Sequence, residues 1–530
     1  MSDINHIVCL PLSLCSRPSA MKLGALLLAS GVVAIPLDFK TIWDSAQQVL
    51  GTSSPSKPVV DSVALQSYIT KEGLSHRAAK LYEIAKISSD DFGHPTRVIG
   101  STGHNATIEY IRETLEDLDG YYDVSLQPFT AVSGRIDGVE LVLDGEVQHQ
   151  VRGFSLTPPT PHKKPVEGYL TLARSDGCKP SDYYGLGGSI VLVKRGTCPF
   201  GDKSEHAGAA GALGLLVYSE DPADDLISGT LGLPLEHQVA TVGLSHDLGQ
   251  KLVEALQLGL KIAASLTVDA TVDIIDTINV VAETTHGDKD NVVMLGAHSD
   301  SVTEGPGIND DGSGTNSLLE VAVALTNFKV NNAVRFAWWA AEEEGLVGSD
   351  YYANNLRPHE NKKIRVFMDY DMMASPNFAY QIYDANSKDH PNGSGELKQL
   401  YVDFYEAAGV NYSFVPFDGR SDYDGFLQHG IPSGGVATGA EGIKTDEDVD
   451  LFGGKQGIQY DPCYHLLCDD LDNLAYDAWE INTKLIAHSV ATYASSWEGF
   501  PERETAAVHT SERSDYSSSP FKYHGPHLVI

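Results

Sequence analysis

His298, Asp310, Glu343, Asp371 and His465 follow one another along the chain, each shortly after an apolar run. Two imidazoles and three carboxylates are what a pair of zinc ions requires if one carboxylate bridges them. Each ion then takes one His, one terminal carboxylate and a share of the bridge, with a position left for water. Such a set points to metal-assisted hydrolysis.

The flanking residues sharpen that reading. The run 292–297 delivers His298 and then Asp300, a spacing that lets Asp300 accept the imidazole's other N–H and fix its tautomer. Gly305-Pro-Gly-Ile-Asn-Asp-Asp-Gly-Ser-Gly314 is a glycine-rich turn that presents Asp310 and Asp311. A calcium loop or a plain turn would look alike there, but calcium sites gather oxygen ligands and the two His argue against one. Glu342, Glu343 and Glu344 follow an apolar strand ending in Trp338-Trp339. We assign Glu343 as a ligand and Glu342 as the general base, although spacing alone leaves the three interchangeable. An acidic first helical turn would tolerate them as well. Asp369 and Asp371 follow another strand, and Asp371 is the preferred ligand. His465 lies between Cys463 and Cys468, so a short disulfide would hold its loop.

The elements that must position these residues alternate. Residues 278–282, 292–297, 334–340 and 364–367 read as strands, and 317–328 and 349–356 as helices between them. Apolar strands separated by helices imply an α/β fold, with a mostly parallel central sheet flanked by helices. Ligands in such sheets bind beyond the carboxyl ends of the strands. Earlier, 75–87 and 106–118 read as helices. Residues 130–270 change to short β-like runs at 139–143, 189–193 and 239–242, with a helix of small residues at 206–215 suited to close packing on a sheet.

The chain has 530 residues, 42% hydrophobic, with 72 acidic against 37 basic side chains and a formal charge of -35. That length supports two or three domains, and the charge argues against nucleic acid or an anionic membrane as partner. The apolar run 23–33 after Met21-Lys22 reads as a secretory signal, with translation starting at Met1 or at Met21; no later segment looks transmembrane. We assign 1–34 to the signal region, 35–80 to a pro-segment, 81–129 and 271–497 to the catalytic domain, 130–270 to an insertion and 498–530 to a disordered tail. Cys9 and Cys15 would leave with the signal. The remaining cysteines group as Cys178–Cys198 and Cys463–Cys468, the expected disulfides, with free thiols in a reducing compartment as the alternative. Sequons begin at Asn105, Asn392 and Asn411.

Taken together, Gly-Ala-His298-Ser-Asp300, Gly307-Ile-Asn-Asp310-Asp-Gly-Ser-Gly314, Ala-Glu342-Glu343-Glu-Gly-Leu-Val-Gly-Ser349, Asp371-Met372 and Cys463-Tyr-His465 resemble the co-catalytic di-zinc aminopeptidase family. The resemblance spans roughly residues 75–495, and Gly-Thr-Cys198-Pro-Phe200 extends it to a β-rich protease-associated domain over 130–270. It implies two zinc ions, one on His298, Asp310 and Asp371, the other on Asp310, Glu343 and His465. It further implies a cis peptide at Asp310–Asp311, Glu342 as base, Asp300 steadying His298, Tyr464 stabilising the oxyanion and Arg420 in the substrate pocket. The expected enzyme is a secreted or vacuolar monomer that removes N-terminal Leu and other apolar residues from peptides with a free N-terminus. A related carboxypeptidase or a non-catalytic, receptor-like binding protein are the alternatives.

Overall fold

In a computed structural model, residues 57–503 are described, apart from 222–225 and 228. The signal region, Cys9, Cys15 and Met21 lie outside them. The strands of the first half are β1 (Tyr122–Leu143), β2 (Glu146–Gln148), β3 (Val151–Gly153), β4 (Val166–Leu172), β5 (Ile190–Lys194), β6 (Gly214–Tyr218) and β7 (Thr241–Leu244). Those of the second half are β8 (Ala263–Thr284), β9 (Asp288–His298), β10 (Asn332–Trp339), β11 (Ile364–Tyr370), β12 (Gln381–Tyr383), β13 (Ser413–Val415) and β14 (Ser433–Ala437).

The sheet runs β13-β12-β14-β11-β9-β10-β8 and continues through β4-β5-β6-β7-β3. β14, β11, β9 and β10 are mutually parallel. β10 and β11 are buried along their whole length, as is β9 from Val292 onward. Burial on both faces explains why these strands read as unbroken apolar runs. On β10, Phe336 and Trp338 enter the main core, which also holds Leu318, Leu319, Trp479 and Ile486. Their neighbours Ala337 and Trp339 enter a second core on the other face with Tyr352, Phe367 and Phe426. That alternation is the two-residue period of a strand.

The inserted domain has no flexible linkers at its boundaries. β1 and β8, 22 residues each, pair antiparallel from Tyr122↔Thr284 to Leu143↔Ala264, with one bulge near Ile136. One end of this ribbon extends the main sheet through β8–β10 pairing, and the other carries β4 and the parallel set β4 to β7. The expected borders at 130 and 270 therefore fall inside continuous strands.

Three further expectations change. The pro-segment expected over 35–80 cannot extend to 80 as a dispensable piece: Leu65, Ile69, Leu74 and Ala78 are buried in the main core, on helices Ser62–Gln66 and Lys71–Ala85. Of the tail expected from 498, residues 504–530 lie outside the described ones, and 498–503 are packed on the fold: Phe500 is buried and Arg503 donates to the carbonyls of Ile364 and Gly430. The small-residue helix, expected at 206–215, is Phe200–Ala209, and β6 takes over from Gly214. Its close packing is real: a Cβ on Gly208 would lie 1.6 Å from the His237 carbonyl oxygen. No helix among the described residues is long and apolar enough to cross a membrane.

Candidate metal centre

The parallel strands bring their carboxyl ends to one edge. β9 closes with His298, β10 ends at Trp339 just before Glu342 and Glu343, and β11 ends at Tyr370 before Asp371. Asp310 sits on the loop that leads into helix Gly312–Leu325, and its peptide bond to Asp311 is cis. The helix starts with glycines because the backbone is crowded there; a Cβ on Gly314 would lie 2.0 Å from the Tyr370 carbonyl oxygen. His465 sits on a loop closed by the Cys463–Cys468 disulfide; Cys178–Cys198 is formed as well. Ala341, Met372 and His465 adopt left-handed backbone angles, φ 62°, 53° and 57°. For residues other than glycine that conformation is uncommon and concentrates at functional sites.

These turns assemble two groups, His298–Asp310–Asp371 and Asp310–Glu343–His465, with the donor atoms of each within 4.8 Å of one another. Asp310 is shared, and its two oxygens face different imidazoles. Oδ1 lies 3.2 Å from His298 Nε2, and Oδ2 lies 3.1 Å from His465 Nε2. His465 Nε2 is 3.0 Å from Glu343, and His298 Nε2 is 3.7 Å from Asp371. Donors about 2.0–2.2 Å from a tetrahedral ion stand about 3.3 Å apart, so the spacing fits cations between them. The hydrogen bonding agrees. His298 Nε2, His465 Nε2, Asp371 Oδ1 and Glu343 Oε1 are buried without a hydrogen-bond partner, which native interiors rarely tolerate unless an ion or water supplies one.

Electrostatics are those of a strongly acidic pit. Burial alone would lower both imidazoles. The facing carboxylates, led by Glu342 for His298 and Glu343 for His465, hold them well above their ordinary value instead. Burial pushes Glu343 up to about 7 and Glu342 well above its usual range, in each case against the pull of a nearby imidazole. Glu342 Oε2 lies 3.9 Å from His298 Nε2, close enough to share the space above the pair.

Asp300 departs from its expected contact. Its Oδ1 is 3.7 Å from His298 Nδ1, beyond hydrogen-bonding distance. Its oxygens instead accept the backbone N–H groups of Glu342 and Glu343, at 3.3 Å each. It therefore braces the turn that carries both glutamates. Asp371 is oriented by the Ser421 hydroxyl, which donates to Oδ2 at 3.1 Å.

Tyr464 stacks on His465, with ring centroids 3.8 Å apart. Burial, with Asp310 and Glu343 nearby, raises its phenol well above the ordinary value, so it stays a donor. Tyr464, Asp371 and Arg420 line a cavity of about 390 Å³, whose wall includes Tyr383, Val415 and Tyr460. Arg420 donates to Glu441 Oε1 at 2.8 Å on its rim.

Two supports have no counterpart in the expectations. Asp469, just after Cys468, accepts the N–H groups of Asn309 at 2.9 Å and Asp310 at 3.0 Å, and its carbonyl accepts that of Ile308 at 3.0 Å. Asp461, just before the disulfide loop, accepts from Asn309 Nδ2 at 2.6 Å, and Asn473 Nδ2 binds both aspartates. The loop bearing His465 is thereby tied to the loop bearing Asp310. Burial, with Asp461 beside it, pushes Asp469 up to about 8. Asp461 and Asp469 flank Cys-Tyr-His-Leu-Leu-Cys in the sequence, but nothing local names the Asn309–Asp310 loop as their partner. The second support is Arg97, fully buried, which donates to the carbonyls of Pro306 at 2.9 Å, Gly307 at 2.5 Å and Ser299. An arginine between Pro95-Thr96 and Val98-Ile99 gives no such signal.

Comparison with known proteins agrees with this geometry. Residues 279–490 match Peptidase family M28, and residues 166–252 match the PA domain. Aminopeptidase Y of Saccharomyces cerevisiae is 51% identical over 486 residues, covering 89% of this chain and 88% of that one. Leucine aminopeptidase 2 of Arthroderma otae is 42% identical over 460 residues, covering 85% and 89%. Among solved structures, an aminopeptidase from Aneurinibacillus sp. strain AM-1 superposes with a TM-score of 0.67 at 25% identity, covering 82% of this chain and 96% of that one. The chain belongs to Peptidase family M28 and carries a PA domain on the β1–β8 ribbon.

Proposed function

We propose that this peptidase is an aminopeptidase that removes N-terminal residues, Leu and other apolar ones among them, and works with two zinc ions. The observation that carries the reading is the Asp310 carboxylate, which faces one imidazole with each oxygen inside a set of unpartnered buried donors. His298, Asp310 and Asp371 would hold one ion, and Asp310, Glu343 and His465 the other. When bound, the ions would lower the pKa of water at the site and polarise the scissile carbonyl. Glu342 takes the proton of the attacking water and returns it to the leaving amine. Its raised proton affinity suits that exchange. Tyr464 donates its hydroxyl to the oxygen on which charge develops. Asp300 holds the Glu342–Glu343 turn in register. The cavity beside Tyr464 takes the N-terminal side chain, with Arg420 at its rim.

The two disulfides favour an oxidising compartment, the cell exterior or a vacuolar lumen. Asn105 and Asn411 are exposed, although Asn411 Nδ2 donates to the Leu451 carbonyl at 2.9 Å, whereas Asn392 is half-buried.

The test joins metal content to a substrate panel. Chelation should abolish hydrolysis of leucyl-arylamide, and zinc should restore it. Glu342→Gln should retain zinc yet lose about 10²–10⁴ in turnover. Cleavage of N-terminally blocked peptides at the same rate, or near-normal turnover in that variant, would overturn the reading.

A further inference from the structure

A second cavity, of about 310 Å³, reaches the acidic pit at Glu343 and Glu344. The first cavity meets it at Asp371 and Tyr464. Asp371 and Glu343 belong to different triads that share only Asp310, so the cavities serve the two ends of the pair. One wall of the second is the loop after β9, from Val302 to Glu304; the other is the ribbon and the inserted domain, with Ile136 on β1, Arg152 on β3 and Thr230. A compact space of this volume is roughly 8 Å across, the length of about two extended residues.

Arg152 is the one cation among the lining residues. It is exposed, and its guanidinium makes no hydrogen bond or ion pair among the described residues. The facing carboxylates are accounted for differently. Glu343 belongs to the triad, and Glu344 is turned inward, with its Oε2 buried. Glu304 is exposed at the mouth. A guanidinium with no partner among the described residues suits a carboxylate and repels an α-ammonium. The aromatic and aliphatic wall of the first cavity suits an apolar side chain.

We propose that the cavity between the PA domain and the metal centre receives the part of the peptide beyond the scissile bond, and that Arg152 pairs with the C-terminal carboxylate of short substrates. This rests on the aminopeptidase reading. One residue lies before the cut and about two fit beyond it, so tripeptides with a free carboxyl terminus are the favoured class.

The test is kcat/KM for Leu-Gly-Gly against Leu-Gly-Gly-amide, measured in the zinc-loaded protein, in Arg152→Ala and in Arg152→Glu. An exposed ion pair of this kind supports an acid-over-amide preference of about fivefold, carried in KM. The ratio should fall to about one in the alanine variant and below one in the glutamate variant. Because it is taken within each protein, partial misfolding cancels. An unchanged ratio in Arg152→Ala, or a ratio of one in the unmodified protein, overturns the assignment. If the unmodified protein cleaves neither peptide nor leucyl-arylamide, it is the aminopeptidase reading that fails.

Discussion

Asp469 offers a sharp test of how the centre is held. In Asp469→Ala the buried N–H groups of Asn309 and Asp310 lose their acceptor, whereas Asn473 keeps its bonds to Asp461. A buried donor left unpaired costs about 1–3 kcal/mol, so two cost about 2–6 kcal/mol before the loop relaxes. Relaxation moves Asp310, the proposed shared ligand, relative to His465. Loss of such an outer support weakens metal binding by about 10- to 100-fold. Asp469→Asn keeps one acceptor oxygen and should lose about tenfold, the lower end of that range. The assay is zinc content and activity against chelator concentration, with thermal melting in parallel to separate metal loss from global unfolding. If Asp469→Ala keeps both ions at the chelator concentrations the unmodified protein withstands, the coupling of the two loops through this residue is wrong.

His104, fully buried and 3.0 Å from the Ser299 hydroxyl, should contribute to acid sensitivity. Burial lowers its pKa from 6.5 to about 4. The unfolded chain therefore takes up the proton first, and stability present above pH 6.5 is lost as pH falls toward 4. That span is worth about 3 kcal/mol, so His104→Gln should lose about that much less stability between pH 7 and 4; parallel acid melting curves would refute it. A chain starting at residue 81 would lack Leu65, Ile69 and Leu74, three core side chains worth about 1.5–3 kcal/mol each. It should show no cooperative melting, and a folded, active fragment would contradict the placement of those helices.

How much of this was legible depended on whether a signal was local. The strands could be read because β9, β10 and β11 are covered on both faces and so are continuously apolar, and the residues ending them were the right types for a metal. Tertiary partnerships were not legible. Asp469 and Asp310 are separated by 159 positions, and nothing in either segment announces the other. The bonds of Asp300 to the Glu342–Glu343 backbone were hidden for a geometric reason. Two residues on from His298 it would share a strand face, but the chain has already left β9, and the carboxylate turns toward the Glu342–Glu343 backbone. The helix at Lys71–Ala85 was legible from its apolar spacing as 75–87, but that it and Ser62–Gln66 bury Leu65, Leu74 and Ala78 in the main core was not, because their apolar residues are few and the partners lie far along the chain.

The β1–β8 ribbon has a mechanical consequence. Twenty-two residues of extended chain reach roughly 70 Å, and a paired beam of that length resists bending far more than a pair of Gly/Ser tethers would. The domain mounted on its far end is cantilevered, not hinged. The width of the slot it forms over the catalytic pit is thus preset by the framework, like the jaw of a fixed gauge. A slot of fixed width would admit slender, unfolded chain ends and turn away a folded terminus by calibre alone.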